Sequence, residues 1–298
     1  MQNVTAALAR RSPLLLVALV GCHHATRATT PAPTACPDGM VLIAAGGFEV
    51  GDDPQSSFDP VPRRWQRVER AFCVERTEVS VALFRRCVEA GACTAPRAFV
   101  NATGNSDRLC NWDRPDAERH PVNCVTPAQA RAYCAWSAHP GGPRRLPRET
   151  EWELAARGRS GRLYAWGDDA SAPRRANLCG AECEAFAHSI DMPAVTAFPE
   201  WEDPFPVTAP VDAFSEGASP EGALNLTGNV SEWVDEPFEG QQTLTTVLTP
   251  SEPGGVAIAR GASFFTRNPR RARAMSRERE VPTANAPWIG LRCARDAG

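Results

Sequence analysis

Apolar residues along the chain fall into two regimes, one periodic and one not, and the change comes near Leu163. In the first, residues 40–51 read as a strand and turn leading into a polar loop, and residues 65–74 as a second strand. Ser80 can cap a helix over 81–90 whose apolar stripe is Val81, Phe84, Cys87 and Val88, with Gly91 as its stop. Thr126, Pro127 and Gln129 supply an N-cap, a first-turn proline and a capping-box acceptor for a second helix. Its inward face carries Ala130, Tyr133 and Cys134, with Trp136 near the same side, until His139-Pro140-Gly141-Gly142 ends it. Pro147 opens a third helix through Glu149, Trp152, Leu154 and Ala155 to Gly158. Beyond Leu163, Gly, Pro, Asn and Asp dominate, so helix and sheet ladders cannot account for the backbone and another organiser is expected. One later stretch, residues 271–275, alternates with period two as a half-buried strand does.

Composition narrows the setting. The 298 residues show no internal repeat, which predicts one domain over 36–298. A net charge of -3 asks for neither nucleic acid nor an anionic membrane surface. The Arg-rich stretch from Arg267 to Arg279 lacks interleaved aromatics, so its guanidiniums are expected to pair with nearby carboxylates. Residues 1–22 read as a targeting segment: Arg10 and Arg11, an apolar core over 14–20, then Gly21 before Cys22. That core is too short to span a bilayer. Leu19-Val20-Gly21-Cys22 resembles a bacterial lipobox, which predicts lipidation of Cys22 and an exported protein anchored in the cell envelope, at the outer membrane or periplasmic face. The alternative is an ordinary secretory signal with a chance cysteine. Residues 23–35, rich in Thr, Pro and Ala, read as a flexible tether. Ten cysteines remain after Cys22, an even number that favours disulfides in an exported chain. Local spacing suggests Cys87 with Cys93 and Cys179 with Cys183.

The motifs carry more. The run from Tyr133 to Gly167 has the form YC-W, RLP, E-EWE-AARG and Y-WG. Upstream stand Gly39-Met40-Val41, Gly46-Gly47-Phe48, Glu75-Arg76-Thr77-Glu78-Val79 and His120-Pro121-Val122. Downstream stand Ala209-Pro210-Val211, Gly228-Asn229-Val230-Ser231-Glu232-Trp233, Arg260-Gly261-Ala262-Ser263 and Gly290-Leu291-Arg292-Cys293. From Cys36 to the end this order resembles the formylglycine-generating enzyme, or sulfatase-modifying factor, domain. The resemblance implies a single α+β domain with little regular secondary structure, distantly similar to C-type lectin domains. It implies a disulfide between Cys134 and Cys293, after which Cys36 with Cys73 and Cys110 with Cys124 follow by elimination. It also implies a structural calcium ion held by Asn177, Leu178, Asp203 and Phe205, and a second held by Gly228, Asn229, Val230 and Glu232. Loops rich in carbonyl and carboxylate oxygens suit that hard cation. The family usually has Thr where this chain has Arg148, so the third helix is expected to start on a weaker cap.

The chemistry of that family is where the chain departs from it. Oxidases of the family place two cysteines five residues apart after a Gly-Gly-Ser turn, where they bind copper and convert a substrate cysteine to formylglycine. Aligned through Gly261-Ala262-Ser263, those positions are Thr266 and Arg271. Ser263 is kept, but Cu(I) calls for soft thiolates, and an Arg beside the site repels a cation. A related branch uses non-haem iron on three histidines. Here His23 and His24 lie in the tether, and His120, His139 and His188 are isolated, so iron is not expected. No G-x-S-x-G elbow supports a hydrolase. The chain is therefore expected to be a non-catalytic binding module for an unidentified peptide, protein or small molecule, with a cleft framed by Ser263, Thr266, Arg271 and Trp233. The alternative is an oxidoreductase of the same family, forming formylglycine or using another metal.

Overall fold

The computed structural model describes residues 35–51, 62–97, 106–138, 142–171, 174–190, 197–198, 201–235 and 256–297. The candidate lipidation site Cys22, the tether as far as residue 34, and His139 lie outside these residues. In chain order the elements are β1 (Met40–Ile43), β2 (Gly46–Val50), β3 (Arg64–Val68), β4 (Phe72–Glu75), α1 (Val81–Glu89), α2 (Pro127–Trp136), α3 (Glu149–Arg157) and α4 (Ala181–Ser189). They are followed by β5 (Ser231–Trp233), β6 (Ala257–Arg260), β7 (Arg277–Glu280), β8 (Ile289–Gly290) and β9 (Ala294–Asp296). The strands form three small sheets, ordered β1-β4-β9, β2-β3 and β7-β6-β5-β8. All pairings are antiparallel except β5 with β8. This is a mixed α and β domain, and no described helix is long and apolar enough to cross a membrane.

The first two helices form where their caps predict. Ser80 Oγ accepts from the Leu83 amide at 3.3 Å, and Val81, Phe84 and Cys87 are buried. Thr126 Oγ1 accepts from the Gln129 amide while Gln129 Oε1 accepts from the Thr126 amide, closing the capping box. At α3, Arg148 offers no side-chain oxygen to the helix, and the Glu151 carboxylate accepts from the Arg148 amide instead.

The two largest apolar cores among the described residues lie around Phe84, Tyr133, Trp233 and Leu291 and around Phe48, Phe72, Trp152 and Ile258. Helix α3 runs beside the second core although it is rich in carboxylates. Glu149 bonds Arg260 and Arg277, Glu151 bonds Arg145 at 2.6 Å, and Glu153 bonds Arg157 at 2.6 Å and Arg260 at 2.8 Å. Each buried carboxylate of this helix thus has a guanidinium partner, which is what allows it to be buried at all.

Five disulfides join Cys36 to Cys73, Cys87 to Cys93, Cys110 to Cys124, Cys134 to Cys293 and Cys179 to Cys183. Three features differ from the expectation. Residues 65–74 form two strands rather than one, broken at Arg70 and Ala71, so that β3 pairs with β2 and β4 with β1. The alternating stretch 271–275 is a series of turns, and the strand starts only at Arg277, where a guanidinium meets Glu149. Finally, the aperiodic half contains α4, which has no side-chain cap and is clamped by the Cys179–Cys183 bridge across its first turn.

Candidate functional site

The turn after β6 carries the residues aligned with the oxidase thiolates. Ser263 and Thr266 are buried and bonded to each other: the Ser263 amide donates to Thr266 Oγ1 at 3.0 Å, and the Thr266 amide donates to the Ser263 carbonyl at 2.9 Å. Ser263 Oγ accepts from the Phe265 amide at 3.3 Å, so both hydroxyls serve the turn itself. Ala262 holds φ at +83°, a region that an L side chain resists by about 1–2 kcal/mol. Arg271 lies outside this knot on the exposed surface, its amide bonded to the Asn268 carbonyl. Trp233 is not there at all. It is fully buried in the core beside Tyr133, and its indole N–H donates to the Val125 carbonyl at 2.9 Å. The four-residue cleft expected from sequence is therefore not assembled, because β5 turns Trp233 into the helix-lined core. Every cysteine among the described residues is in a disulfide, so none offers a thiolate to Cu(I).

The two oxygen-rich loops part company. At the second, Glu232 is completely buried, and Arg292 donates to both of its oxygens at 2.7 and 2.6 Å while the Trp152 indole donates at 2.7 Å. Asn229 is spent as well: its Nδ2 donates to Glu78 Oε1 at 2.9 Å and its Oδ1 accepts from the Ala209 amide. Gly228 and Val230 frame these groups within the same turn. A carboxylate already neutralised by a buried guanidinium does not fit a calcium ion, so the second expected site is corrected to an ion pair. Glu78, which sequence reading passed over inside its motif, completes the network. Asn225 and Asn229 donate to its two oxygens, and burial pushes it up to about 8.

The first loop has the opposite character. Asn177 Nδ2 donates to the Val207 carbonyl at 2.6 Å, and this fixes the amide with Oδ1 buried and without a partner among the described residues. Burial pushes Asp203 up to about 7, with Glu182 raising it further, against the amides of Phe205 and Leu178 that favour its charge. Glu182, which the motifs do not single out, has Oε1 bonded to the Gly180 amide and Oε2 buried with no partner among the described residues. Gly180 is required here, because a Cβ would lie 1.6 Å from the Trp201 carbonyl oxygen. Among the described residues, no group of three or more His, Cys, Asp or Glu is arranged to hold a metal, so a cation would need amide and carbonyl oxygens too. The Asn177 Oδ1 and the Asp203 carboxylate are oxygens of that kind, and the fit to calcium rests on those two.

Comparison with known proteins places this architecture. A family model described as a sulfatase-modifying factor enzyme 1-like domain matches residues 26–297. The chain belongs to that family. Within the sulfatase-modifying factor family it is 31% identical over 313 residues to the formylglycine-generating enzyme of Streptomyces coelicolor, covering 91% of this chain and 94% of that one. It is 33% identical over 186 residues to the bovine protein named inactive C-alpha-formylglycine-generating enzyme 2, covering 60% of this chain and 51% of that one. Among solved structures it resembles PvdO from Pseudomonas aeruginosa, with a TM-score of 0.63 at 21% identity over 86% of this chain and 94% of that one. The family thus includes proteins named as active enzymes and proteins named as inactive, and the chemistry must be argued from the residues.

Proposed function

We propose that this chain is a ligand-binding module of the sulfatase-modifying factor family, exported, anchored by lipid at Cys22 and stabilised by calcium in the Asn177–Asp203 loop. One observation carries the non-catalytic part: Thr266 and Arg271 stand at the thiolate positions, with the Thr266 hydroxyl consumed by its own turn. A guanidinium and a hydroxyl cannot replace two soft ligands for Cu(I). The relative named as inactive supports the reading, since the same domain is found without the activity. The alternative, an oxidoreductase forming formylglycine or using another metal, is favoured by the end-to-end similarity to the Streptomyces coelicolor enzyme.

Elemental mass spectrometry separates the two. The oxidised domain starting at Cys36 is exposed in turn to copper, iron and calcium, then passed through gel filtration. Calcium retained without copper or iron is the expected result; stoichiometric copper or iron would overturn the binding-module reading. Anchoring is checked separately, by the mass of the mature N-terminus and its response to Cys22→Ala.

A further inference from the structure

A pocket of about 540 Å³ opens between the end of α4, the segment 205–208 and the stretch 108–120. Such a volume suits a small organic molecule. Its described lining residues are of two kinds. Phe186, Ile190, Phe205 and Val207 are apolar. Arg108 and Arg114 bring guanidiniums and Asp116 a carboxylate. Arg114 donates to Asp116 at 3.0 Å, whereas Arg108 has no carboxylate partner among the described residues. Among the described lining residues, two cations against one anion leave an excess of one positive charge.

His120 also lines the pocket, buried, with Nδ1 3.0 Å from Thr208 Oγ1. Thr208 in turn accepts from Asn111 Nδ2 at 2.9 Å, and Asn111 Oδ1 accepts from Arg114 at 3.3 Å. This chain of bonds fixes the imidazole and one guanidinium relative to each other before any ligand arrives. Burial, followed by the charge of Arg114, holds His120 below its ordinary range, so at neutral pH it presents a polar but uncharged edge.

We propose that this pocket binds a small organic acid bearing one negative charge, with its carboxylate between Arg108 and Arg114 and its apolar body against Phe186, Phe205 and Val207. A dianion such as phosphate is disfavoured, because the described lining supplies one excess charge and Phe186, Ile190, Phe205 and Val207 offer it only carbon. The assignment deepens the binding-module reading and rests on it.

The test is calorimetric titration of the disulfide-intact protein with phenylbutanoate, phenylbutanamide and butanoate. Saturable one-to-one binding of phenylbutanoate is expected, with the amide weaker by about tenfold for loss of the charged acceptor and butanoate weaker by a similar factor for loss of the ring. Arg108→Ala, an exposed change, should weaken phenylbutanoate about tenfold at an unchanged unfolding temperature. Equal affinity for acid and amide, no binding of phenylbutanoate, or indifference to both Arg108→Ala and Arg114→Ala would each overturn the proposal. Copper retention measured on the same sample keeps the two readings apart. Protein that holds no copper and ignores the acid loses the pocket assignment alone, whereas protein that holds copper loses the binding-module reading.

Discussion

In the loop around Glu232 a buried carboxylate meets a guanidinium, while in the loop around Asp203 a half-buried one meets two backbone amides, with the carboxylate of Glu182 as a like charge nearby. Sequence motifs gave both loops the same oxygen-bearing look. What separates them is a partner from far along the chain: Arg292 reaches Glu232 from 60 residues away, and among the described residues no equivalent cation is paired with Asp203. A motif therefore places oxygens, and the surrounding charges decide whether those oxygens need a metal. The comparison can be broken at either end.

The largest effect should come from Arg292→Met. Removing one partner of a fully buried pair leaves Glu232 uncompensated, at a cost of about 3–5 kcal/mol, read as a large fall in the unfolding midpoint. A variant as stable as the parent would mean that Glu232 has another counter-charge, and rescue by calcium would make the second loop a cation site after all. A smaller effect is expected at the first loop. Calcium at about 100 times its dissociation constant should stabilise the domain by about 2.7 kcal/mol, and a chelator should reverse this. Asp203→Asn should remove the response; a calcium shift that survives the substitution would place the ion elsewhere.

Per pH unit, the smallest effect is the pH dependence of the Glu232 side, through Glu78. Its folded value is raised from 4.5 to about 8, so the folded state binds the proton more tightly than the unfolded chain. The corresponding stability is present in full below the ordinary carboxylate range and is lost as pH rises from about 4.5 towards about 8. One proton allows a slope of at most about 1.4 kcal/mol per pH unit. Glu78→Gln should flatten that slope in denaturant titrations across the window, and an unchanged slope would assign it to another group.

How much of this was legible depended on how local the cause was. Helices α1 and α2 could be read because Ser80, Thr126 and Gln129 act within three residues of where they stand. Helix α4 could not, because it lacks a cap and a clear apolar stripe and relies on the Cys179–Cys183 bridge. The break between β3 and β4 was hidden for a similar reason, since the two halves pair with different strands. At the site, the loss of the thiolates was visible from Thr266 and Arg271 alone. The burial of Trp233, the guanidinium on Glu232 and the orphan oxygens of Asn177 and Glu182 were not, because each depends on which distant residue closes over it.

The Cys36–Cys73 bridge has a mechanical meaning. Cys73 lies on β4, the central strand of its sheet, with β1 on one side and β9 on the other. Tension on the chain before Cys36 therefore enters the domain through a covalent link to the middle of a sheet and bypasses β1. A pull at residues 294–296 loads the same strand through β9 from its other edge. Both points of traction share one strand, so a load applied between them shears the β4–β9 ladder and leaves the loops around Asp203 and His120 outside the line of force.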